Sequence, residues 1–174
     1  MDKVLSQQED IDLSGDNILS IVDNKANLLS YHQLYNLNNL NEVLGQYGCA
    51  IILYETKLNF GHWVCVFNVN PNTIEFFDSY GFAPDAELNY AHFDKEPILS
   101  RFLKESGKTI IHNTIRLQQF AKDINTCGRW TSVRVKMRQI PLKTFQSIFT
   151  NNAHYDGDVW VSALTYLETF SLSK

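Results

Sequence analysis

The chain is poor in cysteine, with three among 174 residues, and no two of them form a Cys-x-x-Cys pair. An odd and small number of cysteines argues against a disulfide framework, and their spacing argues against a cysteine zinc site. We therefore expect free thiols and a reducing compartment.

Long hydrophobic runs are also missing. No segment approaches the roughly 18 apolar residues of a membrane span, and the first ten residues are polar, without the apolar region of a signal peptide. The last residues carry no lipidation motif. The sequence therefore predicts a protein that is not secreted and has no membrane partner.

Repeats, low-complexity segments and flexible linkers are absent from the pattern. The length of 174 residues, with 44% hydrophobic residues, predicts one domain over 1–174 with its own core, in which 1–12 are loosely ordered. A net charge of −4 gives no general case for binding nucleic acid or an anionic membrane.

The chain contains segments of two kinds, which differ in the spacing of their hydrophobic residues. Short apolar and β-branched runs predict strands, and apolar residues at helical spacing predict helices. The predicted strands are 49–54, 62–69, 73–78 and 109–117; the predicted helices include 39–45, 94–103, 127–139, 141–149 and 156–170. These elements predict an α+β fold, with a small mixed central sheet flanked by helices.

Cys127 is the first residue with chemical interest, because it opens a predicted helix. The helix dipole and the unpaired N–H groups at such an end favour a thiolate and can donate to an oxyanion. Gly128 leaves room for a substrate backbone to approach. Cys49 and Cys65 lie in apolar strands and are interpreted as core.

His62 and Asp78 belong to two strands that the Asn70-Pro71-Asn72 turn joins into a hairpin. If paired residue numbers sum to about 140 or 142, His62 faces the region of 78–80. Asp78 then lies close enough to fix the tautomer of the imidazole. With Cys127, these residues are a candidate nucleophile, base and carboxylate, in a chain order that excludes a papain-like enzyme.

Gln118 and Gln119 precede the predicted nucleophile. A glutamine amide is a neutral donor suited to an oxyanion hole. Gln119 is preferred, because it is nearer to Cys127 and shares strand parity with Leu117, and Gln118 remains the alternate.

The stretch 116–143 holds seven basic residues and one acidic residue in an otherwise acidic chain. We interpret the stretch as a solvated helix face. The alternative is a basic patch that binds nucleic acid or an acidic partner.

The motifs together resemble the adenovirus protease (adenain) branch of cysteine peptidases, which is related to the SUMO proteases. The matching motifs are His62-Trp63, Phe77-Asp78-Ser79-Tyr80-Gly81-Phe82, Gln118-Gln119 and Cys127-Gly128. Thr126 stands where SUMO proteases carry Asp, which favours the viral branch.

The resemblance implies a fold with the nucleophile at a helix N-terminus and a role for each residue. His62 is the base, Asp78 its orienting carboxylate and Cys127 the nucleophile. Gln119 contributes to the oxyanion hole, and Trp63 and Gly128 border the substrate cleft. No metal or cofactor is required.

The implied function is a cysteine endopeptidase that cleaves viral capsid or core precursors, often near glycine, during virion maturation. Its location would be the virion and the host cytoplasm or virus factory. The resemblance also implies activation by DNA or a viral peptide. The basic stretch 116–143 is the one feature of the sequence that supports such activation. Two alternatives stay open: an isopeptidase that removes ubiquitin or SUMO, and a non-catalytic module that binds nucleic acid.

Overall fold

The structure is a computed structural model that describes residues 7–90, 95–151 and 156–172. A five-stranded mixed sheet with order β1-β2-β3-β4-β5 forms its centre. The strands are β1 Asn27–Ser30, β2 Cys49–Lys57, β3 Phe60–Asn70, β4 Thr73–Phe77 and β5 Thr109–His112. The two inner pairings, β2–β3 and β3–β4, are antiparallel, whereas both edge strands run parallel to their neighbours.

Helices cover both faces of this sheet, so the predicted α+β class is confirmed. The α-helices are α1 Gly15–Ile21, α2 Leu40–Leu44, α3 Ile98–Glu105, α4 Cys127–Lys136, α5 Leu142–Thr150 and α6 Gly157–Leu172. Short 3₁₀ turns cover Tyr31–Asn36, Gly45–Tyr47 and Ala86–Asn89. Ser14 begins α1 with a capping box, as its hydroxyl and the Asn17 side chain bond each other's backbone.

The central strands have two buried faces because their side chains alternate between two separate cores. Val64 and Val66 of β3 belong to the core beneath α2 and α3, and Cys65 and Phe67 to the core beneath α1, α4 and α5. The β3–β4 pairs, such as Cys65↔Phe77, sum to 142 over most of the ladder. This register is one of the two that the turn predicted.

Helix α4 is fixed to β4 by a buried ion pair. The Arg134 guanidinium donates two hydrogen bonds to the Glu75 carboxylate, at 2.7 and 2.9 Å. It also donates to the backbone oxygens of Met137 and Ile140, which follow the last residue of the helix, and lies over the rings of Phe67 and Phe145. The pair therefore sets the position of the helix that begins at Cys127.

Two sequence predictions need correction. The strand predicted over 109–117 ends at His112, because the next residues bond the end of β4 instead of continuing the ladder. Asn113 accepts from the Asp78 N–H at 3.0 Å, and the N–H groups of Leu117 and Gln118 donate to the Ser79 oxygen. The parallel strand β1 was not predicted, because its four residues are all half-buried and show no alternation.

Helix limits differ by smaller amounts. The helix predicted over 94–103 begins at Ile98 with Pro97 as its cap, and Asp94 lies outside the described residues. The helix predicted over 127–139 ends at Lys136.

The N-terminal segment reaches the nucleophile region. Asn125 donates from its backbone to the Glu9 oxygen at 2.7 Å and from its side chain to the Asp10 oxygen at 3.2 Å. Residues 1–6, part of the segment predicted to be loosely ordered, lie outside the described residues.

Breaking the Arg134–Glu75 pair should destabilise the fold strongly. The Arg134→Met variant leaves a buried carboxylate without its partner, and we expect a loss of about 3–5 kcal/mol in the free energy of unfolding. Urea denaturation of the variant and of wild type measures this loss. Lys136→Met is the matched control, because Lys136 lies on the same helix, half-exposed and 3.9 Å from exposed Asp23, and should cost under about 1 kcal/mol. Equal losses in the two variants would contradict this account.

Candidate active site

Cys127 is the first residue of α4 and is 7% exposed. The Trp130 N–H donates to the Thr126 oxygen at 2.9 Å, which closes the first turn. The N–H groups of a first turn have no partner within their own helix. The thiol therefore lies beside backbone donors and at the positive end of the helix dipole.

Gly128 is enclosed by side chains from three directions. A Cβ atom at this position would lie 3.0 Å from Ile18 and 3.3 Å from both Leu13 and Trp63. The absence of a side chain thus lets the half-buried Trp63 indole approach the first turn of α4. Trp63 also lines a groove of about 790 Å³ that extends towards Leu28 and Leu53. The two residues predicted to border the cleft lie together.

His62 sits on β3 where the strand passes very close to β2. A Cβ atom at Gly61 would lie 1.9 Å from the Tyr54 backbone oxygen, so only glycine fits there. The imidazole that follows is 7% exposed. It stacks on the Tyr80 ring with 4.8 Å between centroids, and Tyr80 in turn stacks on the half-exposed Phe120 at 4.1 Å. The imidazole orientation is thus restricted by packing.

The structure brings His62, Asp78 and Cys127 together. Nε2 of His62 lies 3.0 Å from Oδ1 of Asp78. Cys127 lies close enough to the imidazole to contribute to the pKa of His62. Burial by itself lowers the pKa of His62. The charge and hydrogen bond of Asp78, with the contact to Cys127, outweigh burial and raise the pKa of His62 well above its usual value.

Asp78 directly follows β4 and is fully buried. Its Oδ1 also accepts from the Tyr80 N–H at 2.7 Å, and its own N–H donates to Asn113. These contacts hold the carboxylate at the end of the strand, facing the imidazole. Hydrogen bonds therefore hold both the backbone and the side chain of Asp78.

Glu87 is a second carboxylate near the base, with Oε1 3.9 Å from Nε2 of His62. Burial raises the pKa of Glu87, while the charge of His62 lowers it. Ligand atoms of His62, Asp78 and Glu87 all lie within 4.8 Å of one another. A cation would have to displace the imidazole N–H from Asp78, so the arrangement suits proton transfer better than metal binding.

The two glutamines have different surroundings. Gln118 is buried, accepts from the Ser79 hydroxyl at 2.7 Å and directs its amide nitrogen towards the Tyr80 hydroxyl at 3.2 Å. Gln119 is exposed, and its amide binds the Asp156 carboxylate. Tyr80 stacks on the His62 ring and therefore lies at the site. Gln118 therefore faces the site, and Gln119 turns away from it.

The basic stretch is only partly at the surface. Arg134 is used in the ion pair with Glu75, and Arg129 is also fully buried. Arg129 donates to Thr165 and Gln8, and burial lowers its pKa to about 10. With two of its seven basic residues buried, the stretch offers less for a nucleic acid than the sequence suggests.

Sequence reasoning missed several residues around the site. Asn113 and Asp158 come from distant parts of the chain and carry no local motif. Tyr80 and Glu87 lie near a recognised motif, but only the fold shows that one stacks on His62 and the other approaches it.

Comparison with known proteins gives one clear relative and one fold. No family model matches the chain. It is 36% identical over 160 residues to "Uncharacterized protein V9" of the Sputnik virophage. The aligned region covers 88% of this chain and 91% of that protein. The ASFV pS273R protease superposes with a TM-score of 0.53, at 15% identity, over 92% of this chain and 69% of the other. The SUMO protease Ulp1 gives a TM-score of 0.43, at 14% identity, over 90% and 75%.

The likeness to the ASFV pS273R protease shows a shared fold, and the adenain branch in particular stays a prediction. Among the described residues, no helix is both long and apolar enough to cross a membrane.

The raised pKa of His62 should make stability depend on pH. Because folding raises the pKa above about 6.5, the stabilisation is complete below that pH and is lost as the pH rises through the folded-state pKa. We expect the free energy of unfolding to fall above pH 6.5 by up to about 1.4 kcal/mol per unit. Urea denaturation at pH 6 to 9 measures this, with His62→Gln as the reference that retains every other titrating group. Parallel curves for both proteins would contradict the expectation.

Proposed function

The chain belongs to the family of the Sputnik virophage protein V9, and we propose that it acts as a cysteine endopeptidase. The observation that carries the proposal is the single cluster of His62, Asp78 and Cys127, with the thiol at the start of α4. A nucleophile, a base and a carboxylate that orients the base are the parts that thiol-based acyl transfer requires. The fold shared with a viral protease agrees with this chemistry.

His62 takes the proton of the Cys127 thiol as the sulfur attacks the scissile carbonyl carbon. The C–N bond then breaks, and the imidazolium gives that proton to the leaving amine. A water molecule gives a proton to His62 and adds to the thioester carbonyl carbon of the acyl-enzyme. The C–S bond then breaks, the proton returns from His62 to the Cys127 sulfur, and the carboxylic acid product leaves. Asp78 keeps Nε2 protonated and stabilises the imidazolium throughout.

The oxyanion that forms during each attack requires donors beside the sulfur. The Cys127 backbone N–H is one, because it lies at the helix start. Gln118 is the second in this proposal, in place of the Gln119 that spacing preferred. Gln118 is buried next to Tyr80, and its amide would turn from the Tyr80 hydroxyl and the Ile124 oxygen towards the oxyanion. The Gln119 amide is bound to the exposed Asp156 carboxylate instead.

The substrate is a polypeptide, and we infer a capsid or core precursor cut during maturation, within the virion or a virus factory. The Trp63 indole packs against Gly128, the residue that follows Cys127. A substrate that reaches the thiol beside this indole should carry glycine next to the scissile bond, because larger side chains would meet the ring.

Incubation of the protein with capsid precursor from the same genome tests the proposal, with mass spectrometry of the products. Wild type should cut at a defined site, and a folded Cys127→Ala variant should lose at least about 10³-fold in kcat/KM. Cys65→Ala is the matched control, because Cys65 is a core thiol. Equal cutting by wild type and Cys127→Ala would refute the assignment.

Two further experiments separate the peptidase from the isopeptidase and the nucleic-acid-binding module. Cleavage of ubiquitin or SUMO fusions but not of the precursor would favour an isopeptidase. DNA added to the reaction tests activation, and salt-dependent DNA binding without any cutting would favour a binding module.

The choice between the glutamines gives a second test. Gln118→Ala should reduce kcat by about 10²- to 10³-fold, as expected when an oxyanion donor is removed. Gln119→Ala removes the same group one residue further on and should stay within about threefold of wild type. Steady-state kinetics on the identified peptide measures both, and a larger loss in Gln119→Ala would reverse the assignment.

A further inference from the structure

Asp158, in the first turn of α6, is a fully buried carboxylate outside the cluster of His62, Asp78 and Cys127. It accepts three hydrogen bonds from other parts of the chain. The donors are the Gln119 N–H at 2.9 Å, the Trp130 indole N–H at 2.8 Å and the Thr126 hydroxyl. Asp156 holds the backbone of Asp158, since its Oδ1 accepts the Asp158 N–H at 2.7 Å.

These three donors surround the proposed oxyanion donors. Gln119 directly follows Gln118, Thr126 directly precedes Cys127, and Trp130 lies one turn further along α4. Between them, residues 120–123 are exposed. One carboxylate thus ties together both ends of the segment that connects the Gln118 amide to the Cys127 N–H.

Burial of a carboxylate is costly unless donors compensate for it. Burial raises the pKa of Asp158, and the hydrogen bonds from Thr126, Gln119 and Trp130 lower it in part. Its neutral form would lose acceptor capacity and leave a donor in the interior unsatisfied. The three bonds are therefore mutually dependent.

The proton-transfer side of the site is held by other contacts. His62 is fixed by β3 and the Tyr80 ring, and Asp78 by Asn113 and the Tyr80 N–H. A change at Asp158 should therefore act on the Gln118 side of the oxyanion pocket, through the Gln119 N–H, and alter the separation of the two donors while the pair of thiol and imidazole stays together.

We propose that Asp158 is a positioning residue for the oxyanion pocket, which holds the Gln118 amide and the Cys127 N–H at the separation that the tetrahedral intermediate requires. The proposal rests on the proposed peptidase function. A small displacement of such donors is enough to reduce a rate strongly, because their effect depends on preorganised geometry.

Asp158→Asn is the direct test, because it retains the shape but places an NH₂ group where an oxygen accepted. We expect kcat on the identified peptide to fall about 10- to 100-fold, with KM within about twofold. Affinity for the corresponding peptide aldehyde, whose adduct with Cys127 places its oxygen in the same pocket, should fall by a matching factor. The rate at which iodoacetamide alkylates Cys127 should change by less than about twofold.

Two more variants define the origin of the effect. Asp123→Asn removes an exposed charge from the same segment and should leave kcat and aldehyde affinity unchanged. Thr126→Val removes a single donor to Asp158 and should give a smaller loss of the same kind. The double variant of Asp158→Asn and Thr126→Val should lose less than the sum of the two single effects, because both act on one contact.

A folded Asp158→Asn that retains kcat and aldehyde affinity while wild type is active would overturn the proposal and leave the peptidase function intact. If Asp158→Asn does not fold, unchanged kcat and aldehyde affinity in Thr126→Val overturn it equally. A wild type that neither cuts nor binds the aldehyde overturns both the function and the role of Asp158.

Discussion

The buried ion pair between Arg134 and Glu75 is the contact on which the geometry of the site depends. Glu75 belongs to β4, which leads within three residues to Asp78, and Arg134 lies two turns along the helix that begins at Cys127. Two charges in a dry interior tolerate little displacement, since each would lose its compensation. The pair therefore couples the position of the nucleophile to that of the carboxylate.

The rest of the site is built from chain segments that have no regular ladder of their own. The backbone after β5 bonds to the end of β4 through Asn113 and Ser79, and the segment before Cys127 is held by Asp158 and by Glu9 of the N-terminal segment. Buried side chains supply the hydrogen bonds that secondary structure supplies elsewhere. Regular elements thus place the thiol, imidazole and carboxylate, and side-chain contacts place the oxyanion donors.

Sequence reasoning succeeded where the signal is local. Periodicity located β2, β3 and β4, and the residues flanking Cys127 indicated a helix start. The turn at Asn70 left two registers for β3 and β4, one of which is observed. Sequence reasoning failed where tertiary contacts decide: β1 has no alternating pattern, and β5 is cut short by bonds to Ser79. The strand parity used to prefer Gln119 does not apply, because residues 118–119 lie outside β5. The burial of Arg129 and Arg134 could not be predicted from the sequence either. A run of basic residues looks the same in a sequence whether its side chains are solvated or form buried ion pairs.

The central claim is that His62 and Asp78 act on the Cys127 thiol, and the pH dependence of thiol alkylation tests it without any knowledge of the substrate. Iodoacetamide rates for Cys127 should be measured from pH 5 to 9 in wild type, His62→Gln and Asp78→Asn, with mass spectrometry to identify the modified cysteine. We expect wild type to react at least about tenfold faster than His62→Gln at pH 6 to 7, and Asp78→Asn to lie between them. Identical rate profiles in the three proteins would contradict the account.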